Sequence, residues 1–324
     1  MPPPKPSILF LDAATVDLGD IEMKNLKKQG FYTALALHPG DSLPPIALGA
    51  EIVISNKYPL REAQLGFFPK LKLICVAATG TNNVDLEAAR RRGIAVCNVA
   101  GYSTPTVVEQ TVMFLLALGH RLLEHDGAVK SGAWSRGAHF ALLKFPFRDL
   151  SGKRLGILGY GHIGRKVARV AEALGMEVWV GKIPGGQYAS REKRVEFSKL
   201  LSGCDFVTLH CPLSPRTHGM IDAKALARMK PEAFLLNLAR GPIVDEVAVA
   251  RALRAGKLAG YASDVLSQEP PPPEHPLFAQ ELNGKVLLSP HIAWASTESR
   301  QRLVDEIAAN IASFRRKVRR NRVV

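Results

Sequence analysis

A chain of 324 residues exceeds the size at which one hydrophobic core usually stops growing, so two domains are the first expectation. With 47% hydrophobic and 22% charged residues, the composition excludes disorder and describes a soluble globular protein. The net charge of +14 suits anionic partners, but the compact basic run from Arg315 to Arg322 has no interleaved aromatic residues and accompanies no DNA-binding motif. It reads as a solvated helix end, and nucleic acid is not expected as a partner. The longest apolar stretch, Val112 to Leu118, is far short of the roughly 20 residues that span a bilayer. The opening MPPPKPSILF lacks a signal peptide's apolar region, so no membrane partner and a cytoplasmic location are expected. Cys75, Cys97, Cys204 and Cys211 form no C-x-x-C pair and no zinc-type cluster, which makes them reduced, mostly buried thiols.

Short apolar runs bounded by turn residues begin at once: ILFL (8–11), EIVIS (51–55), LKLICVA (71–77) and IAVCNV (94–99). Continuous apolar strands separated by helices are what a parallel sheet covered on both faces requires, so the first hundred residues form one α/β unit. From Pro105 to Lys130, apolar positions such as Val108, Val112, Leu115, Leu116 and Leu122 recur at helical spacing and predict one long helix linking the domains. The stretch 133–150, with Trp134, Phe140, Phe145 and Phe147, is too apolar for a free loop. Either a partner subunit or intrachain packing buries it.

After Ser151 a second series follows: RLGILG, MEVWVG, FVTLHC, AFLLNLA, AGYASDV and KVLLSPH, a second doubly wound α/β unit. Its first strand runs straight into Gly159-Tyr160-Gly161-His162-Ile163-Gly164, and Ile163, Val167, Val170 and Leu174 then mark the buried face of a helix. A lone G-x-G-x-x-G is a weak signal; placed between strand and helix it is the dinucleotide fingerprint. The first glycine makes the turn, the second lets backbone approach the pyrophosphate, and the third packs helix on strand. The pyrophosphate would sit on the open amides of the helix start.

The next strand, Glu177 to Val180, should end in an acid that accepts hydrogen bonds from the adenosine ribose. Gly181 and Lys182 stand there instead, and Lys182 can pair with a 2′-phosphate. The cofactor expectation is therefore NAD(P)(H), with NADPH slightly favoured; NADH with few ribose contacts is the other reading.

Three later residues fall at strand ends or in the loops after them: Arg240, Glu269 and His291. Ligands of open α/β sheets bind outside the carboxyl ends of the strands, so these three are expected to converge. Hydride reduction of a small 2-oxo acid, or oxidation of the 2-hydroxy acid, needs such a set. Arginine offers a fork for the carboxylate, histidine an acid for the emerging alkoxide, and a neighbouring glutamate stabilises the protonated ring. The proline run 270–273 must be an extended loop, and Thr297 to Phe314 turns helical again. That helix, returning to the first unit, makes the substrate domain 1–103 plus 296–324 and the dinucleotide-binding domain 104–295.

The strings GYGHIG, LNLARGPIVDE (236–246), SQEPPP (267–272) and SPHIAWAS (289–296) together resemble the D-2-hydroxyacid dehydrogenase family over nearly the whole chain. Within it, AATGTNNVD (77–85), the HF and FPF segment and the PHIAWAS ending are most similar to glycerate dehydrogenases, also called hydroxypyruvate reductases. The resemblance implies a flavodoxin-like substrate domain, a Rossmann domain, and a product of D configuration. It implies that Arg240 binds substrate, that His291 is the general acid/base with Glu269 as its partner, and that amides around Thr79 and Gly80 hold the substrate carboxylate. Thr104 is expected near the nicotinamide, Asp264 by its amide, and Ala239, His210, Pro212 and Thr217 along the dinucleotide cleft. It also implies a homodimer through the helix and arm from 105 to 150. Lys182 departs from the family's acid at that position and puts NAD preference in doubt. Two other readings bear on the same fold. A dinucleotide-sensing corepressor would be a non-catalytic binding protein, against which the complete catalytic set speaks. Formate dehydrogenases pair the histidine with glutamine, which Glu269 disfavours.

Overall fold

The computed structural model describes residues 5–188 and 192–324. The chain divides into two compact units, Met1–Ser103 with Trp294–Val324, and Thr104–Ala293.

In the first unit the elements are β1 (Ser7–Phe10), α1 (Lys24–Lys27), β2 (Phe31–Ala34), β3 (Ile52–Ser55), α2 (Glu62–Gly66), β4 (Leu73–Val76), α3 (Leu86–Arg91) and β5 (Ala95–Cys97). The strands are all parallel in the order β2-β1-β3-β4-β5, the flavodoxin-like winding. Alternate residues feed opposite faces. Ile8, Phe10, Ile52, Ile54, Leu73 and Cys75 join one buried cluster with Leu303, Val304, Ile307 and Ile311 of the last helix. Leu9, Val53, Ile74 and Val76 join another with Leu65, Ala88 and Ala89. The edge strand β2, whose sequence is FYTA, escapes an apolar-run reading because none of its residues is fully buried.

The basic tail differs from the solvated helix end expected of it. Past the last helix the chain turns back, and Val323 N donates to Val96 O at 2.8 Å while Asn98 N donates to Asn321 O at 3.2 Å. The tail thus covers the otherwise open edge of β5. Arg320 pairs with Glu306, Arg315 donates to Gln29 O and Arg322 to Val324 O, and all the basic residues of the tail are exposed.

The second unit begins with α4 (Thr104–Gly119) and α5 (Leu122–Lys130). The single helix predicted over 105–130 is broken: Arg121 is left-handed at φ 52°, and the two pieces bend by 61°. The apolar spacing carries across the break, from Leu118 to Leu122, so periodicity does not reveal it. Among the described residues no single helix is long and apolar enough to cross a membrane. There follow β6 (Arg154–Leu158), α6 (His162–Ala173), β7 (Glu177–Val180), α7 (Phe197–Gly203), β8 (Phe206–Leu209), α8 (Ala223–Leu226), β9 (Phe234–Asn237), α9 (Glu246–Arg254), β10 (Gly260–Ser263) and β11 (Val286–Leu288). The long terminal helix α10 (Thr297–Arg315) belongs to the first unit.

This second sheet is also all parallel, in the order β11-β10-β9-β8-β6-β7. A bridge from Gly181 to Val195 stands where a further strand would complete the Rossmann order. Because β7 and β8 leave β6 on opposite sides, the winding reverses there, and a crevice opens beyond the ends of β6 and β8.

Candidate active site

The glycine loop sits at that reversal. Gly159 has φ 105°, and a Cβ on it would come within 2.4 Å of His210 C and Cys211 N, so only glycine makes this turn. A Cβ on Gly164 would lie 2.2 Å from Gly159 O, which forces glycine where α6 crosses its own strand. Gly161 is different: a Cβ there meets nothing within 4 Å. The empty space lies at the start of α6, a 12-residue helix whose N-cap offers no side-chain hydrogen bond. An anionic group fits this cradle, with the amides and helix dipole of His162, Ile163 and Gly164 facing it. The residues present therefore fit a dinucleotide pyrophosphate.

Beside the loop, at the end of β8, His210 is half-buried, with Nε2 3.0 Å from Thr208 Oγ1. Burial pushes its ring down to about 3, so it is neutral at physiological pH. The following turn holds itself: Thr217 Oγ1 donates to Pro212 O at 2.7 Å and accepts from Ser214 N at 2.8 Å. Beyond β7, Lys182 forms an ion pair with Glu196, and the two side chains are 43% and 67% exposed.

At the other end of the same sheet edge, β9, β10 and β11 lie side by side, and Arg240, Glu269 and His291 lie in the segments that follow them. Glu269 and His291 meet directly: Oε2 is 2.7 Å from Nδ1, while Glu269 Oε1 accepts from Leu266 N at 2.9 Å. His291 has φ 54°, a left-handed conformation uncommon for a side chain with a Cβ and held by its surroundings. What holds it is Asp264, which is buried. Its Oδ1 accepts from Ser289 Oγ at 2.5 Å and from Ile292 N at 2.9 Å, and Oδ2 accepts from Ala293 N at 2.9 Å. Burial raises the Asp264 carboxyl above the usual range, and those three donors pull it back. Gln110 Nε2 braces Ser289 at 3.0 Å. Asp264, expected beside the nicotinamide amide, thus has both oxygens engaged in the turn that carries His291.

Arg240 follows β9 in extended conformation, exposed, with Nη1 donating to Ala239 O at 2.6 Å. Asn237 fixes the strand end by accepting from Ala239 N at 3.1 Å and donating to Arg240 O at 3.0 Å. Thr104 is buried as the first residue of α4. Thr79 and Gly80 follow β4 in the first unit, where Thr79 Oγ1 donates to Val99 O at 2.9 Å and Asn98 Nδ2 donates to Thr79 O at 2.7 Å. Among the described residues no cluster of three or more His, Cys, Asp or Glu could hold a metal ion. Sequence reasoning did not single out Gln110, Asn237, Glu246, His275 or Ser289: Asn237 and Ser289 stand unremarked at strand ends, and the partners of Gln110, Glu246 and His275 are distant in the chain.

The chain is similar to known proteins over most of its length. Residues 112–293 match the family model described as D-isomer specific 2-hydroxyacid dehydrogenase, NAD binding domain. The chain is 40% identical over 266 residues to the glycerate dehydrogenase of Methylorubrum extorquens, covering 82% of this chain and 83% of that one. It is 34% identical over 312 residues to the hydroxypyruvate reductase of Blautia hydrogenotrophica, covering 95% and 96%. The crystal structure of D-lactate dehydrogenase from Aquifex aeolicus, complexed with NAD and lactic acid, superposes with a TM-score of 0.81 at 28% identity, covering 96% of each chain. The chain belongs to the D-isomer specific 2-hydroxyacid dehydrogenases and is an NAD(P)-dependent oxidoreductase.

Proposed function

We propose that this enzyme reduces hydroxypyruvate and glyoxylate to D-glycerate and glycolate. The observation that carries the reading is the 2.7 Å contact between Glu269 and His291, set beside Arg240 on the sheet edge that bears the glycine loop. When bound, the nicotinamide supplies the hydride to the carbonyl carbon. Arg240 takes the substrate carboxylate and polarises the carbonyl with its guanidinium fork. With Nδ1 tied to Glu269, the proton that His291 gives is the one on Nε2, delivered to the carbonyl oxygen as negative charge gathers there. Glu269 stabilises the imidazolium before transfer and keeps the ring turned toward the reacting oxygen. The purified enzyme should consume reduced cofactor fastest with hydroxypyruvate and glyoxylate, slower with pyruvate, and the hydroxypyruvate product should be the D isomer. Absence of oxidation with every acid and either cofactor would remove the reading.

The same reading takes NADPH ahead of NADH. Lys182 occupies the strand end where an acid would bind the ribose, and a 2′-phosphate is a stronger partner for it than the exposed Glu196 carboxylate. It also takes two copies of the chain, joined through α4, α5 and the arm to residue 150. Along that segment Phe140 is 94%, Leu143 86% and Leu122 56% exposed, apolar side chains that a partner subunit would cover. Sedimentation equilibrium reads this directly, and a monomer at micromolar concentration would dismiss the dimer.

A further inference from the structure

Glu269 sits in a loop with little backbone pairing of its own. Residues 270–273 are prolines without N–H groups, and within the loop only one backbone bond, His275 N to Pro272 O at 3.1 Å, appears among the described residues. Yet Glu269 has to meet His291 in one geometry. The restraint comes from Glu246, the first residue of α9, which is 7% exposed. Its Oε1 accepts from Ser267 N at 2.8 Å, at the front of the loop. Its Oε2 lies 3.0 Å from Nε2 of His275, at the back of the loop. His275 is 8% exposed, and its Nδ1 accepts from Leu277 N at 3.4 Å, so the ring proton sits on Nε2 and is donated to Glu246. One buried carboxylate therefore ties both ends of the segment from 267 to 275.

Gly241 completes the frame. A Cβ on it would come within 2.0 Å of Leu266 C and 2.3 Å of Ser267 N, so the backbone that follows Arg240 lies directly against the front of the loop. Leu266 in turn gives its N–H to Glu269. From Glu246 through Ser267, Leu266 and Glu269 to His291, consecutive contacts connect a carboxylate outside the reaction centre to the histidine inside it.

We propose that Glu246, clasping Ser267 and His275, is a positioning residue that sets the Glu269 carboxylate against His291. The assignment rests on the reading of Glu269 and His291 as the proton-transferring pair. A buried carboxylate left with one donor loses much of its compensation, so removing either partner frees the loop.

The test compares Glu246→Ala, Glu246→Gln and His275→Gln with the wild type in the full-length enzyme. Thermal melting and NADPH binding by fluorescence establish that each variant is folded. Proton NMR of 15N-histidine-labelled protein follows the hydrogen-bonded Nδ1–H of His291, assigned by its absence in His291→Phe. In Glu246→Ala the resonance should broaden or vanish, kcat on hydroxypyruvate should fall by about 10- to 100-fold, and the solvent isotope effect on kcat should rise, as expected when a proton donor is misplaced by about 1 Å. A loss of folded protein alone would lower kcat without moving the isotope effect. Glu246→Gln should fall between, because its amide oxygen still accepts from Ser267 but cannot take the proton of His275. His275→Gln keeps a donor for Glu246 and should be the mildest. If Glu246→Ala does not fold, the two glutamine variants carry the comparison. An unchanged His291 resonance and isotope effect in folded Glu246→Gln and Glu246→Ala, or in both glutamine variants where Glu246→Ala does not fold, would overturn the proposal. Were the wild type to reduce no oxo acid, the proposed reaction would fall, while the resonance would still decide whether Glu246 sets the pair.

Discussion

At the β9–β11 end of the second sheet, Glu269 has both oxygens in hydrogen bonds, Asp264 accepts from three donors, and Glu246 and His275 lie buried behind them. At the β7 end, Lys182 meets Glu196 in an ion pair that solvent reaches from both sides. The two ends answer to different demands. A proton or hydride moves only between atoms placed within fractions of an ångström, so the reacting end carries layers of buried partners. Recognition of a cofactor's outer phosphate tolerates looser placement. An exposed pair worth about 0–1 kcal/mol is readily exchanged for a ligand oxygen.

This contrast predicts unequal losses, and the largest belongs to His291. In His291→Ala, kcat should fall by about 10²- to 10⁴-fold, the usual contribution of general acid catalysis, while the dissociation constant of NADPH stays within about twofold. Stopped-flow turnover and fluorescence titration read the two separately, and undiminished turnover would show that the rigid end serves something other than chemistry. Arg240→Gln comes next. The fork that takes the carboxylate is lost while the backbone bonds from Asn237 remain. We expect kcat/KM for hydroxypyruvate to drop by about 10²-fold, with KM bearing more of the loss than in His291→Ala. Equal KM values in Arg240→Gln and the wild type would move carboxylate binding elsewhere.

The fold was legible in the sequence wherever burial dictates composition. β3, β4 and β8 are buried along their whole length and read as apolar runs. β2 is half exposed at an edge and did not, and the break at Arg121 left no mark because both helices keep an apolar face. At the site, Arg240, Glu269 and His291 could be picked out because their chemistry is unusual at strand ends following a glycine loop. Glu246 is an acid in the first turn of a helix and His275 a histidine in a loop, and neither placement is unusual. Their importance lies in a contact across 29 residues of chain, which no local pattern encodes. The expectation for Asp264 concerned the nicotinamide amide; its hold on the turn of His291 spans 25 to 29 residues of chain and has no local pattern either. The tail from Arg315 to Arg322 announced its charge but not its pairing with β5, because edge pairing there depends on backbone groups rather than side chains.

The smallest effect is expected at the exposed end, and it is the most informative about the cofactor. Lys182→Asp replaces the cation with a ribose acceptor and should lower the ratio of kcat/KM with NADPH to that with NADH by about 10-fold, equivalent to roughly 1.4 kcal/mol. Glu196→Gln removes the competitor for Lys182 and should raise the same ratio by about two- to fivefold, the range of an exposed ion pair. The two changes act through one contact, so in the double variant Glu196→Gln should no longer raise the ratio. Steady-state assays at low ionic strength, where surface charges are least screened, give all four ratios. If the ratio stays put in Lys182→Asp, the strand end does not meet the 2′-phosphate, and the looseness seen there reflects a side chain outside the cofactor's reach rather than a tolerant binding contact.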